Sequence, residues 1–119
     1  MLRSYVAAKI HGIRVTAASV GYHGSVSVDA ALLGAAGMQP YERVTIVNLS
    51  AGTRWETYAL PAGDGVFTLN GGSARLGVPG DPCVIMTWGL AESAPGAQVV
   101  FCGDQNEITG TMTYPAGGG

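Results

Sequence analysis

The stretch "VGYHGSVSVDAALLGAAG" spans Val20–Gly37. A Gly-Ser pair, Gly24–Ser25, lies between two apolar, β-branched stretches, at the point where a strand is predicted to begin. Asp29 follows as the N-cap of a short helix over "AALLGAAG". Leu32, Leu33 and Ala36 share one side of that helix, and Gly37 stops it. The pair itself has two readings. It is a turn, or it is a peptide bond built to break.

The rest of the chain is read outward from this stretch. Its 119 residues are enough for one domain with a core. Hydrophobic residues make up 47% and charged residues 12%, so the chain folds. A net charge of -2 with 6 basic residues lacks the basic stripe of a nucleic-acid binder. Cys83 and Cys102 match neither a disulfide framework nor a common zinc pattern, and read as buried, reduced thiols. No metal site is expected. The N-terminal "MLRSYVAAKIHG" lacks the apolar run of a signal peptide, and no stretch approaches a membrane span, so the expected location is the cytoplasm.

The 19 glycines and 6 prolines cut the chain into short segments, which suits β structure. "SYVAAKIHGIRVT", "YERVTIVNL", "TRWETYAL", "GVFTLN", "PCVIMTWG" and "QVVFCG" read as strands of a compact, mostly closed β structure. A second helical turn is predicted at "NGGSARLG", weakened by Gly71 and Gly72, and a turn at "VPGD". One domain over residues 1–112 is expected, followed by a flexible Gly-rich tail over 113–119. Strand periodicity puts Lys9 and His11 on one face, and Arg54, Glu56 and Tyr58 on another, with Trp55 and Thr57 opposite. Arg54 and Tyr58 would lie about 13 Å apart, reaching opposite ends of a small ligand.

Taken singly, these residues have ordinary readings. Gly72–Ser73 repeats the Gly-Ser pair, as a glycine-rich chain allows by chance. Lys9 alone is a solvated lysine, His11 an edge histidine, Arg54 a surface cation and Tyr58 a half-buried ring. Jointly they say more. "KIHGIRVT" at 9–16, "YHGS" at 22–25, "VDAALLGAAG" at 28–37, "RWETYAL" at 54–60 and "NGGSARLGVPGD" at 70–81 come in that order. This arrangement resembles the pyruvoyl-dependent aspartate 1-decarboxylase family over roughly residues 1 to 110. Tyr-x-Gly-Ser at 22–25, Arg-x-x-Thr-Tyr at 54–58 and the Asn70-Gly71 turn carry most of the likeness.

The resemblance implies a mainly β, double-psi β-barrel fold with one or two short helices, assembled as a homotetramer with sites at subunit interfaces. It implies a lyase made as a zymogen. Autocatalytic cleavage between Gly24 and Ser25 would turn Ser25 into a covalent pyruvoyl group, the cofactor. That group would form a Schiff base with L-aspartate, and decarboxylation would yield β-alanine for pantothenate and coenzyme A biosynthesis. By the same resemblance Ser25 and Tyr58 are catalytic, Tyr58 as proton donor. Lys9, Arg54, Thr57, Gly71, Gly72 and Ser73 would bind substrate, Arg54 by forking onto a carboxylate. Thr57 would also assist maturation, and His11, Tyr22 and Asn70 would support the site. Some family members need a maturation factor.

The chain departs from the family in places. Gly72 and Ser73 stand where the family usually has two alanines, which keeps the space but adds flexibility and a hydroxyl. The loop "PAGDG" at 61–65 is shorter than in some relatives, and His23 is a variable position. Two other readings stand beside the leading one. The chain could be a pyruvoyl decarboxylase of another acidic amino acid, or an unprocessed barrel that binds an acidic metabolite.

Overall fold

A computed structural model describes residues 1–21 and 24–117. The strands are β1 (Arg3–Arg14), β2 (Ala17–Ser19), β3 (Ser25–Asp29), β4 (Arg43–Asn48), β5 (Arg54–Ala62), β6 (Phe67–Asn70), β7 (Pro82–Ala91), β8 (Ala97–Cys102) and β9 (Ile108–Tyr114). Helix α1 (Ala30–Ala36) follows β3, and a 3-10 turn (Gly71–Arg75) follows β6. The hydrogen-bonded order is β2-β6-β3-β5-β4-β7-β1-β8-β9. The architecture is mainly β and agrees with the double-psi β-barrel type. Its ladder has free ends at β2 and β9, so it is more open than the strand pattern suggested.

The interior follows from the apolar strand positions. Ile10, Ile13, Val26, Val28, Val44, Ile46, Phe67, Leu69 and Ile85 are fully buried in one cluster. Each such side chain contributes about 1.5–3 kcal/mol over an exposed one. β4 lies between β5 and β7, so Val44, Thr45 and Ile46 are all buried. Thr45 belongs there because its hydroxyl accepts from Trp88 Nε1 at 2.9 Å.

Helix α1 forms as its caps predict. Asp29 Oδ1 accepts from the Ala31 and Leu32 N–H groups at 2.8 and 3.3 Å. Its Oδ2 accepts from the Gly65 N–H at 2.7 Å, tying the β5–β6 connection to the end of β3. Gly37 takes a left-handed φ of 78°, and the Met38 N–H closes back on the Leu33 carbonyl at 2.9 Å. Leu32, Leu33 and Ala36 are the buried side of the helix.

Three features differ from the sequence reading. The turn at Gly71–Arg75 is 3-10 rather than α, and it opens on Gly71 at a φ of 57°. β2 and β9 carried no strand signal because their side chains are mostly solvated and lack apolar alternation. β9 runs through Tyr114, and the Gly117 N–H donates to the Ala94 carbonyl at 2.8 Å. Backbone pairing to β8 holds this strand, and such pairing leaves no trace in side-chain pattern.

Both cysteines are free. Burial pushes the Cys83 thiol up to about 12, helped by the Asp81 charge, and Cys102 up to about 11, helped by Asp29 and Glu107. No helix among the described residues is long and apolar enough to cross a membrane.

Candidate functional site

Ser25 opens β3 and is 1% exposed. Antiparallel pairing with β6 sets it opposite Asn70, which is 2% exposed. Asn70 Nδ2 donates to Ser25 Oγ at 3.2 Å and to Ser27 Oγ at 3.0 Å. Ser25 has a φ of 146°, a region that residues with a side chain rarely adopt. Holding it there costs on the order of 1–3 kcal/mol. The strain therefore sits on Ser25 and not on Gly24, where glycine's tolerance would have absorbed it. Gly24 is open: a Cβ placed there would meet nothing within 4 Å.

β3 also pairs with β5, in parallel, with Val26 beside Ala59. Tyr58 directly precedes Ala59 on β5, as Ser25 directly precedes Val26 on β3. Tyr58 is 39% exposed and its ring stacks on Tyr41, with centroids 6.5 Å apart. Arg54 and Glu56 share its exposed face of β5, as periodicity predicted. Glu56 is paired with Arg43 at 2.9 Å, whereas Arg54 makes no ion pair among the described residues. Thr57 lies on the other face with Trp55, both half-buried.

The turn after β6 lies next to Ser25's partner Asn70. Gly71 and Ser73 are buried, and a Cβ at exposed Gly72 would meet open space. The Ser73 hydroxyl accepts from Trp55 Nε1 at 3.0 Å, so β5 holds the turn by a side-chain bond.

Lys9 and His11 are placed elsewhere. They share one face of β1, and β5, β4 and β7 lie between β1 and β3 in the sheet. The Lys9 ammonium donates to the Tyr114 hydroxyl at 3.3 Å. His11 meets the Phe101 ring edge-on, with centroids 5.7 Å apart. The structure therefore brings Ser25, Asn70 and the Gly71–Ser73 turn together, with Tyr58 on the neighbouring strand β5, and places Lys9 and His11 three strands further along the sheet order. Tyr22 and His23 lie outside the described residues.

The sequence model of the aspartate decarboxylase family matches residues 1–109. The chain belongs to the aspartate decarboxylase family. An aspartate 1-decarboxylase of Salinibacter ruber is 42% identical over 118 residues, covering 92% of this chain and 80% of that protein. One from Syntrophobacter fumaroxidans is 44% identical over 116 residues, covering 92% and 94%. Aspartate 1-decarboxylase 2 of Gloeobacter violaceus is 43% identical over 114 residues, covering 91% of each chain.

At Ser25 three features coincide: a buried hydroxyl, a donor on its oxygen, and a backbone held at a positive φ directly after a glycine. Among the described residues there is no group of three side chains suited to hold a metal ion.

Three side chains around these positions went unremarked or underused in the sequence. Ser27 shares Asn70's amide, and its place on the Ser25 face was available from period-two alternation. Trp55 was placed opposite Tyr58, but its bond to Ser73 spans two elements and has no local signal. Tyr114 was assigned to the tail, so its contact with Lys9 was invisible.

Proposed function

We propose that the chain decarboxylates L-aspartate to β-alanine and carbon dioxide, supplying pantothenate and coenzyme A synthesis, after cutting itself between Gly24 and Ser25. The observation that carries this reading is Ser25 itself: buried, held at a φ of 146°, and hydrogen-bonded through Oγ to Asn70. Ser25 Oγ attacks the Gly24 carbonyl carbon, the C–N bond breaks, and the hydroxyl proton ends on the freed nitrogen. Relief of the strained φ favours this shift. Elimination across the Ser25 Cα–Cβ bond then releases residues 1–24 with a free carboxylate. Water replaces the nitrogen, ammonia leaves, and a ketone remains at the new N-terminus.

The pyruvoyl group so formed supplies the electron sink for the charge left by carbon dioxide. The remaining roles fall to side chains. Arg54, exposed and free of an ion pair among the described residues, forks onto a substrate carboxylate. Lys9 adds a second positive charge. Tyr58, on the strand that neighbours Ser25's in parallel, returns a proton to the substrate carbon through its hydroxyl. Gly71, Gly72 and Ser73 bring backbone close to the substrate. Thr57 assists maturation as a donor to the tetrahedral oxyanion. Asn70, Tyr22 and His11 support the site.

The reading includes a homotetramer in the cytoplasm with sites completed between protomers; three strands lie between those of Lys9 and Ser25 in the sheet order of one chain. A maturation factor would act on the cleavage step alone. Carbon dioxide release from aspartate, glutamate and other amino acids tests the assignment. Preferred turnover of aspartate is expected; equal or faster turnover of another amino acid would overturn it.

A further inference from the structure

Ser27 is two residues beyond Ser25 on the same side of β3. Its hydroxyl has one side-chain partner among the described residues, Asn70 Nδ2 at 3.0 Å. The same nitrogen is 3.2 Å from Ser25 Oγ. A primary amide carries two N–H bonds, so each can serve one serine. The register makes the triangle. Ser25 lies opposite Asn70, Ser27 lies opposite Thr68, and the Asn70 side chain spans the step between the two serines. Val26 and Val28, on the other side of β3, are fully buried, so the strand cannot slip by one residue without exposing them.

We infer that Ser27 is a positioning residue for self-cleavage: it is the second anchor that holds the Asn70 amide on the attacking oxygen of Ser25. The inference rests on the maturation reading above. In that step the Oγ–C bond forms to Gly24, the Gly24–Ser25 C–N bond breaks, and the hydroxyl proton passes to the freed nitrogen. Negative charge gathers on Oγ as its proton leaves, and an N–H already aimed at that oxygen stabilises it without reorganisation. The Asn70 amide sits at the end of a side chain with two rotatable bonds. Anchored at Ser25 alone, it swings with the group it is meant to stabilise. Anchored also at Ser27, it is fixed to the strand.

The test is a time course of cleavage by intact mass, on freshly purified Ser27→Ala, Ser27→Val and Ser27→Thr chains beside the wild type. Incubation is at raised temperature, with and without host cell extract. Losing one neutral hydrogen bond slows cleavage about 3- to 10-fold in the alanine and valine variants. Threonine restores the hydroxyl and keeps the rate within about 2-fold of wild type. Threonine and valine have the same shape and both suit a strand, so a purely packing role moves them together. Equal rates for threonine and valine, or alanine cleaving as fast as wild type, would overturn the inference alone. A wild-type chain that stays intact overturns the maturation reading and this inference with it.

Discussion

Ser25 and Lys9 both belong to the proposed chemistry, and the chain surrounds them in opposite ways. Ser25 opens β3 between β5 and β6, where the Asn70 amide of β6 reaches both it and Ser27. Lys9 lies beyond three intervening strands, half-buried, with its ammonium on the Tyr114 hydroxyl of the last strand. The difference separates two tasks. In the proposed chemistry, breaking the Gly24–Ser25 bond draws on the residues around Ser25, whereas capture of a dicarboxylate also draws on Lys9, three strands away in the sheet order. Substitutions of Ser25 and of the Asn70 and Ser27 groups bonded around it should therefore act on cleavage, and those of Lys9 on substrate affinity.

Ser25→Ala carries the largest expected effect. It should fold, remain a single chain, and show no decarboxylation above background; measurable turnover would remove Ser25 as the cofactor precursor. Tyr58→Phe comes next. Its proposed role comes after cleavage, so cleavage should stay near the wild-type rate, while loss of a proton donor lowers turnover by about 10²- to 10⁴-fold. Lys9→Met probes the other region. Cleavage should be unchanged, and the KM for aspartate should rise about 10- to 100-fold, the worth of a charge-assisted hydrogen bond. A Lys9→Met chain that fails to cleave would erase the separation between the two regions.

A smaller effect is expected where β5 reaches the 3-10 turn. Trp55→Phe and Ser73→Ala each remove the same 3.0 Å bond, so each should raise KM about 3-fold. The double variant should be no worse than either single one, because both delete one interaction. Additive losses would show that the bond does not hold the turn. The mildest probe is pH. The thiols of Cys83 and Cys102 are held up to about 12 and about 11, against 9.0 for a free thiol. The unfolded chain loses their protons first as pH rises, so the thiols' contribution is full below about pH 9 and stability should fall above it. Denaturant melts across that range check this.

Much of the fold could be read from local pattern. The helix after Asp29 was legible because both of its caps are local, in Asp29 and Gly37. The exposed face of β5 followed from alternation of Arg54, Glu56 and Tyr58. β9 was not legible, because its side chains are solvated and backbone pairing alone places it. The contacts of Asn70 with Ser25 and of Trp55 with Ser73 join residues 45 and 18 positions apart. Spacing in the chain says nothing about such pairs, whereas strand register decides them. The strain at Ser25 was equally hidden, since serine gives no warning of a positive φ and the adjacent glycine draws suspicion to itself.

The central claim is that the chain cuts itself after Gly24 and converts Ser25, and the intact mass of the purified protein tests it most directly. The account predicts two fragments, residues 1–24 and a long chain beginning at residue 25, the latter lacking a free amino terminus. A single chain of full mass, persisting after prolonged incubation at raised temperature with and without host extract, would contradict it.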